Sequence, residues 1–338
     1  MGKEYNIAVM GATGAVGGVM LRVLEERNFP VKDIKLLASE RSKGKKLKFK
    51  GKEIEVEVLG HDSFKGVDIV LASAGASRSK EYAKSIVDAG AIMVDNSSAF
   101  RMEDDVPLVV PEINPEDVKL NKGIISNPNC TTIIMLVPLK PIHDAAKIKR
   151  IVVSTYQATS GAGAKAMAEL KQQTLDYAAG KELKVENFQY QILHNVIPHI
   201  DVFFEDGYSK EEIKMVNETR KIMHEPGMKV TATTVRIPVF TSHAESINIE
   251  TEKKINADEV KELLSKAPGV VVEDDIQNKK YPMPLFTADK DEVYVGRIRE
   301  DFSIANGINL FVCGDQLRKG AATNAVQIAE IIVKEGLK

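Results

Sequence analysis

The start of the chain most constrains its fold. An apolar run, Asn6-Ile7-Ala8-Val9-Met10, leads into Gly11-Ala12-Thr13-Gly14-Ala15-Val16-Gly17, and a helical pattern follows over Val19 to Arg27. A second apolar run, Ile34 to Ala38, comes next. Strand, glycine turn, helix and strand in that order imply a parallel pair with a crossover helix. These strands show no polar alternation, as expected where helices cover both faces of a sheet. Glycines at the first, fourth and seventh places let the backbone turn tightly and approach a pyrophosphate. The helix N-terminus then offers unpaired N–H groups to that anion. The turn carries Ala12-Thr13 where a second glycine often sits, and a glycine triplet alone also fits a plain strand–helix turn. Its candidate nucleotide contacts are Gly11, Thr13, Gly14, Ala15 and Val16.

The pattern repeats. Val67 to Ala72 and Ile92 to Val94 read as buried strands, with a helix over Ser79 to Ala89 between them. Residues 1–127 are therefore expected to form a Rossmann-type dinucleotide-binding domain. The character changes after Pro128. Ile151 to Tyr156, Val230 to Pro238 and Ser246 to Thr251 read as strands of a different, mixed or antiparallel sheet. Ala164 to Ala179 and Asp258 to Ala267 read as helices. Residues 128–320 are expected to form an α+β domain with a mixed sheet. The amphipathic C-terminal stretch, residues 321–338, is assigned to the first domain. The fold class is thus α/β with two domains, in keeping with 338 residues.

Bulk properties exclude several roles. A net charge of -2 gives no drive toward nucleic acid or anionic lipid, and the chain has no Trp and only 6% aromatic residues with which to stack bases. No apolar stretch approaches the roughly 20 residues needed to span a bilayer. From Met1 the sequence runs straight into strand pattern with no signal-peptide core. The chain's two cysteines lie far apart in sequence, which suggests no disulfide framework and points to a reducing cytoplasm. No metal-ligand pattern stands out.

The end of the second strand bears on which nicotinamide cofactor the turn would hold. Ala38-Ser39-Glu40-Arg41-Ser42 offers Ser39, Arg41 and Ser42 as a pocket for a 2′-phosphate, with Arg41 donating a forked pair. Glu40 fits a free ribose 2′-OH instead. NADP is the favoured reading.

Chemistry centres on Cys130, in Ser126-Asn127-Pro128-Asn129-Cys130-Thr131-Thr132. Pro128 fixes the chain ahead of it, and Thr131-Thr132 open a helical run. A thiol at a helix start or beside a histidine ionises more readily than the ordinary thiol at pKa about 8.5. Asn129 or nearby N–H groups would donate to a developing oxyanion. A free cysteine is more often a small buried hydrophobe, but the polar left flank argues otherwise. Cys313 ends an apolar run and reads as core. Six histidines compete for the role of base. His243, in a polar stretch between two strands and seven residues after Arg236, is the favourite.

Taken together these motifs resemble the aspartate-β-semialdehyde dehydrogenase family over essentially the full length. Asp95-Asn96-Ser97-Ser98-Ala99-Phe100-Arg101, Gln157-Ala158-Thr159-Ser160-Gly161-Ala162-Gly163, Arg236-Ile237-Pro238 and Leu317-Arg318-Lys319-Gly320-Ala321-Ala322-Thr323-Asn324-Ala325 complete the match. The resemblance implies Cys130 as nucleophile, His243 as acid–base group and Gln157 as the residue orienting the acyl intermediate. It implies Arg236 for the substrate carboxylate, Glu211 for its ammonium, Arg101 and Lys214 for the phosphate, and Asn129 beside the substrate. Ser160, Gly161 and Asn324 become cofactor contacts. Glu212 stands next to Glu211 and competes for its role, and Glu211 with Lys214 also fits an exposed i,i+3 pair. The implied activity is NADP-dependent reduction of L-aspartyl-4-phosphate to L-aspartate-4-semialdehyde through a Cys130 thioester. That step leads toward lysine, methionine and threonine, in a homodimer or homotetramer. N-acetyl-glutamyl-phosphate reductase is the sister alternative, although Asn129 and Thr131 around the cysteine favour the semialdehyde enzyme. A catalytically silent nucleotide-binding homologue is the other.

Overall fold

The structure is a computed structural model that describes residues 3–338; residues 1 and 2, which head the expected 1–127 domain, lie outside the described residues. It divides into two compact units, Met1–Asn129 with Ala321–Lys338, and Cys130–Gly320. The first break falls two residues after the expected 127/128 boundary.

In the first unit, strand β1 is Tyr5–Met10, followed by helix α1 (Ala15–Glu26), β2 (Val31–Ala38), β3 (Lys46–Phe49), β4 (Lys52–Val58), β5 (Ile69–Ala72), α2 (Ala76–Asp88), β6 (Ile92–Asp95) and β7 (Ile124–Ser126). The sheet order is β3-β4-β2-β1-β5-β6-β7. β1 lies parallel to both β2 and β5, as the crossover rule requires. Met10, Leu37, Val70, Ala72 and Met93 are fully buried in its core. α1 begins at Ala15, earlier than the sequence pattern implies. Gly17 permits this, because a Cβ there would lie 2.3 Å from the Gly11 carbonyl oxygen. The β3–β4 hairpin escaped the sequence reading, since Lys-rich alternation masks it. Its turn, Lys50-Gly51, takes positive φ at both residues (46° and 75°), the geometry that suits a two-residue hairpin.

The second unit runs α3 (Cys130–Ala146), β8 (Ile148–Gln157), α4 (Ala164–Ala178), α5 (Lys210–Ile222), β9 (Lys229–Arg236), β10 (His243–Thr251), α6 (Ala257–Ser265), β11 (Val270–Val272), α7 (Pro284–Thr287), β12 (Val293–Asp301) and β13 (Gly307–Gly314). Its mixed sheet has the order β11-β12-β13-β10-β8-β9. β8 pairs in parallel with β9 and antiparallel with β10. Two parallel strands therefore end where an antiparallel one begins. That register sets Gln157 opposite Arg236, and His243 opposite Gly314. Gln157, Arg236 and His243 so share one end of the sheet. The sequence reading put His243 between strands, but it is the first residue of β10. The ladder to Gly314 and Tyr156 draws residues 243–245 into regular pairing. Among the described residues no helix is long and apolar enough to cross a membrane.

Candidate active site

The nucleotide turn of the first unit is a cradle made of backbone. Gly11 has φ of 87°, and a Cβ on it would meet the Ser73 carbonyl oxygen at 2.4 Å. Gly14 caps α1 with extended backbone and no side chain in the way. A pocket of about 540 Å³ opens over this turn. Gly11, Thr13, Gly14, Ser39 and Arg41 line it. Ala15, Val16 and Ser42 do not: the first two open α1, and buried Ser42 holds Thr13 through a 3.2 Å hydroxyl pair. Glu40 also lines the pocket and pairs with Lys43 at 3.6 Å. Arg78 and Tyr82 of α2 line it too and were missed in the sequence. Their signal was a second strand–turn–helix, Ser73-Ala74-Gly75 after β5. A glycine cradle at a helix start, with two arginines and a glutamate on the pocket wall, fits a dinucleotide.

Two other expected residues of this unit are joined through Asn127. The Arg101 guanidinium donates to the carbonyl oxygens of Asn127 and Asn96, each at 3.0 Å. The Asn324 amide donates to the Asn127 side chain at 2.6 Å and to the Val109 carbonyl at 3.0 Å. Asn129, also buried, is the last residue before α3.

In the second unit Cys130 opens α3 and is half-buried. The helix N-terminus carries partial positive charge, the setting in which a sulfur anion is stabilised. Gly320 packs beside it, so close that a Cβ there would stand 3.0 Å from the Cys130 Cβ. Burial pushes the Cys313 thiol far up. Cys313 is thus an inert core thiol.

Arg236 is buried and donates to the Ala158 carbonyl at 2.6 Å. Burial lowers its pKa, opposed by the charges of Glu211 and Cys130. Gln157 is buried and donates weakly to Glu211 and Thr155, at 3.4 and 3.3 Å. Glu211 also pairs with Lys214 at 3.0 Å, and Lys214 with Asp201 at 2.8 Å. Burial works against the Lys214 charge, but Glu211 and Asp201 outweigh it and raise its pKa. The two neighbouring glutamates have different work. Glu212 closes a capping box with Ser209, accepting from its N–H at 2.7 Å, and accepts from Thr234 N–H at 2.9 Å. Glu211 is the one turned to Gln157, Lys214 and Arg236.

His243 is fully buried, and its Nδ1 accepts from the Ala158 N–H at 3.0 Å. Ser242 before it has φ of 71° and is fixed by Thr287, hydroxyl to hydroxyl at 2.6 Å, and by Gln316, which accepts its N–H at 2.8 Å. Gln316 also donates to the Ser160 hydroxyl. Gly161 lies against the Arg236 guanidinium and the His243 ring. Asp201, Ser242 and Gln316 carried no signal in the sequence, because their partners are remote in the chain. Among the described residues no group of three or more His, Cys, Asp or Glu is placed to hold a metal ion.

A nucleotide cradle in one unit, and a half-buried thiol with an arginine, a histidine and a carboxylate in the other, fit one class: a two-domain dehydrogenase. The family described as "Semialdehyde dehydrogenase, NAD binding domain" matches residues 6–121, and "Semialdehyde dehydrogenase, dimerisation domain" matches residues 139–319. Aspartate-semialdehyde dehydrogenase of Aquifex aeolicus is 61% identical over 98% of this chain and 99% of its own. A solved structure of aspartate semialdehyde dehydrogenase II from Vibrio cholerae, complexed with ASA, is 47% identical. It superposes with a TM-score of 0.96 over 98% of this chain and 99% of its own. The enzyme of Candida albicans, solved with NADP, is 27% identical, with a TM-score of 0.76 over 99% of this chain and 100% of its own. The chain belongs to the aspartate-semialdehyde dehydrogenase family.

Proposed function

We propose that this protein interconverts L-aspartyl-4-phosphate and L-aspartate-4-semialdehyde with NADP, through a thioester on Cys130. The substrate bears a carboxylate, an ammonium and an acyl phosphate. Arg236 takes the carboxylate as a bidentate pair, and Glu211 takes the ammonium. Arg101 and Lys214 take the phosphate, and Asn129 lies beside the substrate. Cys130 attacks the acyl carbon and expels phosphate, splitting one hard displacement into two easier steps. Gln157 orients the acyl group, and His243 meets its oxygen. When bound, the reduced nicotinamide supplies hydride. In the first unit Gly11, Thr13, Gly14, Ser39 and Arg41 are assigned to the cofactor, with Asn324; Ala15 and Val16 would meet it only through the N–H groups that open α1, and Ser42 only through Thr13. Ser160 and Gly161 are assigned to it in the second. The protein works in the cytoplasm as a homodimer or homotetramer.

The observation that carries this reading is the division of labour between the two glutamates. Glu212 is committed to a helix cap, which leaves Glu211 as an anionic group beside buried Arg236. That polarity suits a free amino acid. An N-acetylated substrate has no ammonium for Glu211 to meet. The test is reduction of NADP by the purified protein with phosphate and either aspartate semialdehyde or N-acetylglutamate semialdehyde. Aspartate semialdehyde should be preferred by at least about 10²-fold in kcat/KM, and Cys130→Ala should fall to background while its Tm holds. Turnover of the acetylated aldehyde alone, or full activity of Cys130→Ala, overturns the reading.

A further inference from the structure

Residues 197–201 run along the edge of the charge cluster. Ile197 exchanges both backbone hydrogen bonds with Arg236, at 2.9 and 2.8 Å. Four residues on, the chain turns at Asp201, whose backbone is left-handed (φ 67°), a conformation aspartate tolerates better than most residues. Beyond it the chain folds back on itself. The Phe204 N–H donates to the Tyr208 carbonyl and the Lys210 N–H to the Val202 carbonyl, each at 2.8 Å. Lys210 opens α5, so this fold-back sets Asp201 against the start of that helix. Asp201 Oδ1 accepts from the Val202 N–H at 2.9 Å, and Oδ2 accepts from Nζ of Lys214 at 2.8 Å. Burial works against the Asp201 charge, but Lys214 and the Val202 N–H outweigh it and hold the carboxyl below its usual pKa.

The Lys214 ammonium has three N–H groups. One goes to Asp201, and one to Oε2 of Glu211 at 3.0 Å, one turn earlier on α5. A glutamate and a lysine three places apart on a helix otherwise close on each other as a simple pair. Here the ammonium is stretched between two carboxylates on different segments, and its third donor is left for an anion. We propose that Asp201 is a positioning residue for Lys214. It draws the ammonium off Glu211, which keeps more of its charge for the substrate ammonium, and it presents the third N–H to the phosphate as an ordered donor. This rests on the reading in which Lys214 takes the phosphate. The Asp201 charge has two opposed effects, since it repels the phosphate while it orders Lys214. Repulsion is screened, because the Asp201 side chain is 30% exposed to water. Ordering removes the rotamer cost of a long flexible side chain, about 3–10-fold in affinity. Ordering is the larger effect.

The test is steady-state oxidation of aspartate semialdehyde by the full chain, with NADP and varied inorganic phosphate. Asp201→Gly accepts the left-handed backbone and removes the carboxylate. Its KM for phosphate should rise about 3–10-fold, with kcat and the KM for NADP within about twofold of the unaltered protein. Asp201→Asn tolerates the same backbone, keeps an oxygen for Lys214 and should recover most of that loss. A merely structural role would lower Tm and the active fraction, and hence kcat, without singling out phosphate. Introduced into Lys214→Met, Asp201→Gly should add less than about twofold, because no ammonium is left to position. An unchanged or lower phosphate KM in Asp201→Gly, or an undiminished effect in the Lys214→Met background, overturns the proposal. Lys214→Met alone separates the two readings. If it raises the phosphate KM while Asp201→Gly does not, only the positioning role is lost. If it leaves that KM unchanged, Lys214 is not the phosphate ligand, and the proposal falls with that assignment.

Discussion

The cofactor turn and the charge cluster around Arg236 solve the problem of holding an anion in opposite ways. The turn uses backbone: Gly11 and Gly17 allow close approach, Gly14 leaves a helix N-terminus open, and its cations, such as Arg41, sit exposed beside the pocket. The cluster uses side chains taken out of water, with Arg236, Glu211 and Gln157 buried and Lys214 nearly so. Exposed charges are screened and cost little to lose, whereas a buried charge deprived of its partner keeps its desolvation cost. Damage to the turn should thus appear as weaker cofactor binding alone. Damage to the cluster should reach binding, turnover and stability together.

The largest effect should come from Glu211→Gln. It leaves Arg236 and Lys214 as neighbouring cations without their shared anion, so kcat/KM should fall by about 10²–10³-fold and Tm should drop. Glu212→Gln is the control one residue away. It weakens a helix cap, which costs roughly 1 kcal/mol, and should leave kcat/KM within about twofold. If the two variants exchange these phenotypes in kinetics and thermal unfolding, the assignment of Glu211 is lost.

Gly161→Ala ranks next. Its methyl would sit 2.9 Å from Arg236 Nη1 and 3.2 Å from the His243 ring, so one of those groups must move. A displacement near 1 Å at a reacting centre costs about 10²-fold, mostly in kcat, with the fold intact because φ at Gly161 is ordinary. Unchanged kcat in the variant would show that the two side chains have room to give.

Arg41→Ala tests the other side of the contrast. Arg41 is exposed, so Tm should not move. Loss of charged hydrogen bonds to a 2′-phosphate should raise the KM for NADP by about 10–100-fold and leave that for NAD alone. Equal effects on both cofactors would refute the 2′-phosphate role of Arg41 and leave Arg78, which lines the same pocket, as the next residue to test.

The same contrast explains what could be read from the sequence. The turn is local: one strand, one glycine series and one helix start state its geometry within a dozen residues. Arg78 and Tyr82 escaped because nothing in a polar helix start says which way its side chains face. The cluster is assembled by register, since Gln157, Arg236 and His243 meet only because β8, β9 and β10 pair as they do. Their residue types were legible through the family resemblance, but their support was not. Gln316 bonds to Ser242 across 74 residues and to Ser160 across 156, and no short-range pattern encodes such a bridge.

Among the described residues Glu245 is a buried carboxyl without a hydrogen-bond partner, and it marks the limit of the comparison. Glu245 lies two residues beyond His243, opposite Thr155 and Val312. It is fully buried, and neither carboxyl oxygen is hydrogen-bonded among the described residues. Burial raises its pKa well above the ordinary carboxyl value. The native state therefore keeps a proton that the unfolded chain releases once pH exceeds about 4.3. Folding takes that proton up, so stability falls as pH rises from there toward the raised native value. Glu245→Gln has no proton to exchange and keeps the shape. Its Tm should match the unaltered protein near pH 4 and pull ahead as pH increases, each kcal/mol being worth about 2–4 °C in a unit of this size. Turnover should change less than in any of the other variants, because Glu245 belongs to the sheet core. Parallel Tm curves from pH 4 to 8 would mean that Glu245 is ionised and has found compensation, and the rule that buried charge here always has a partner would then hold throughout the cluster.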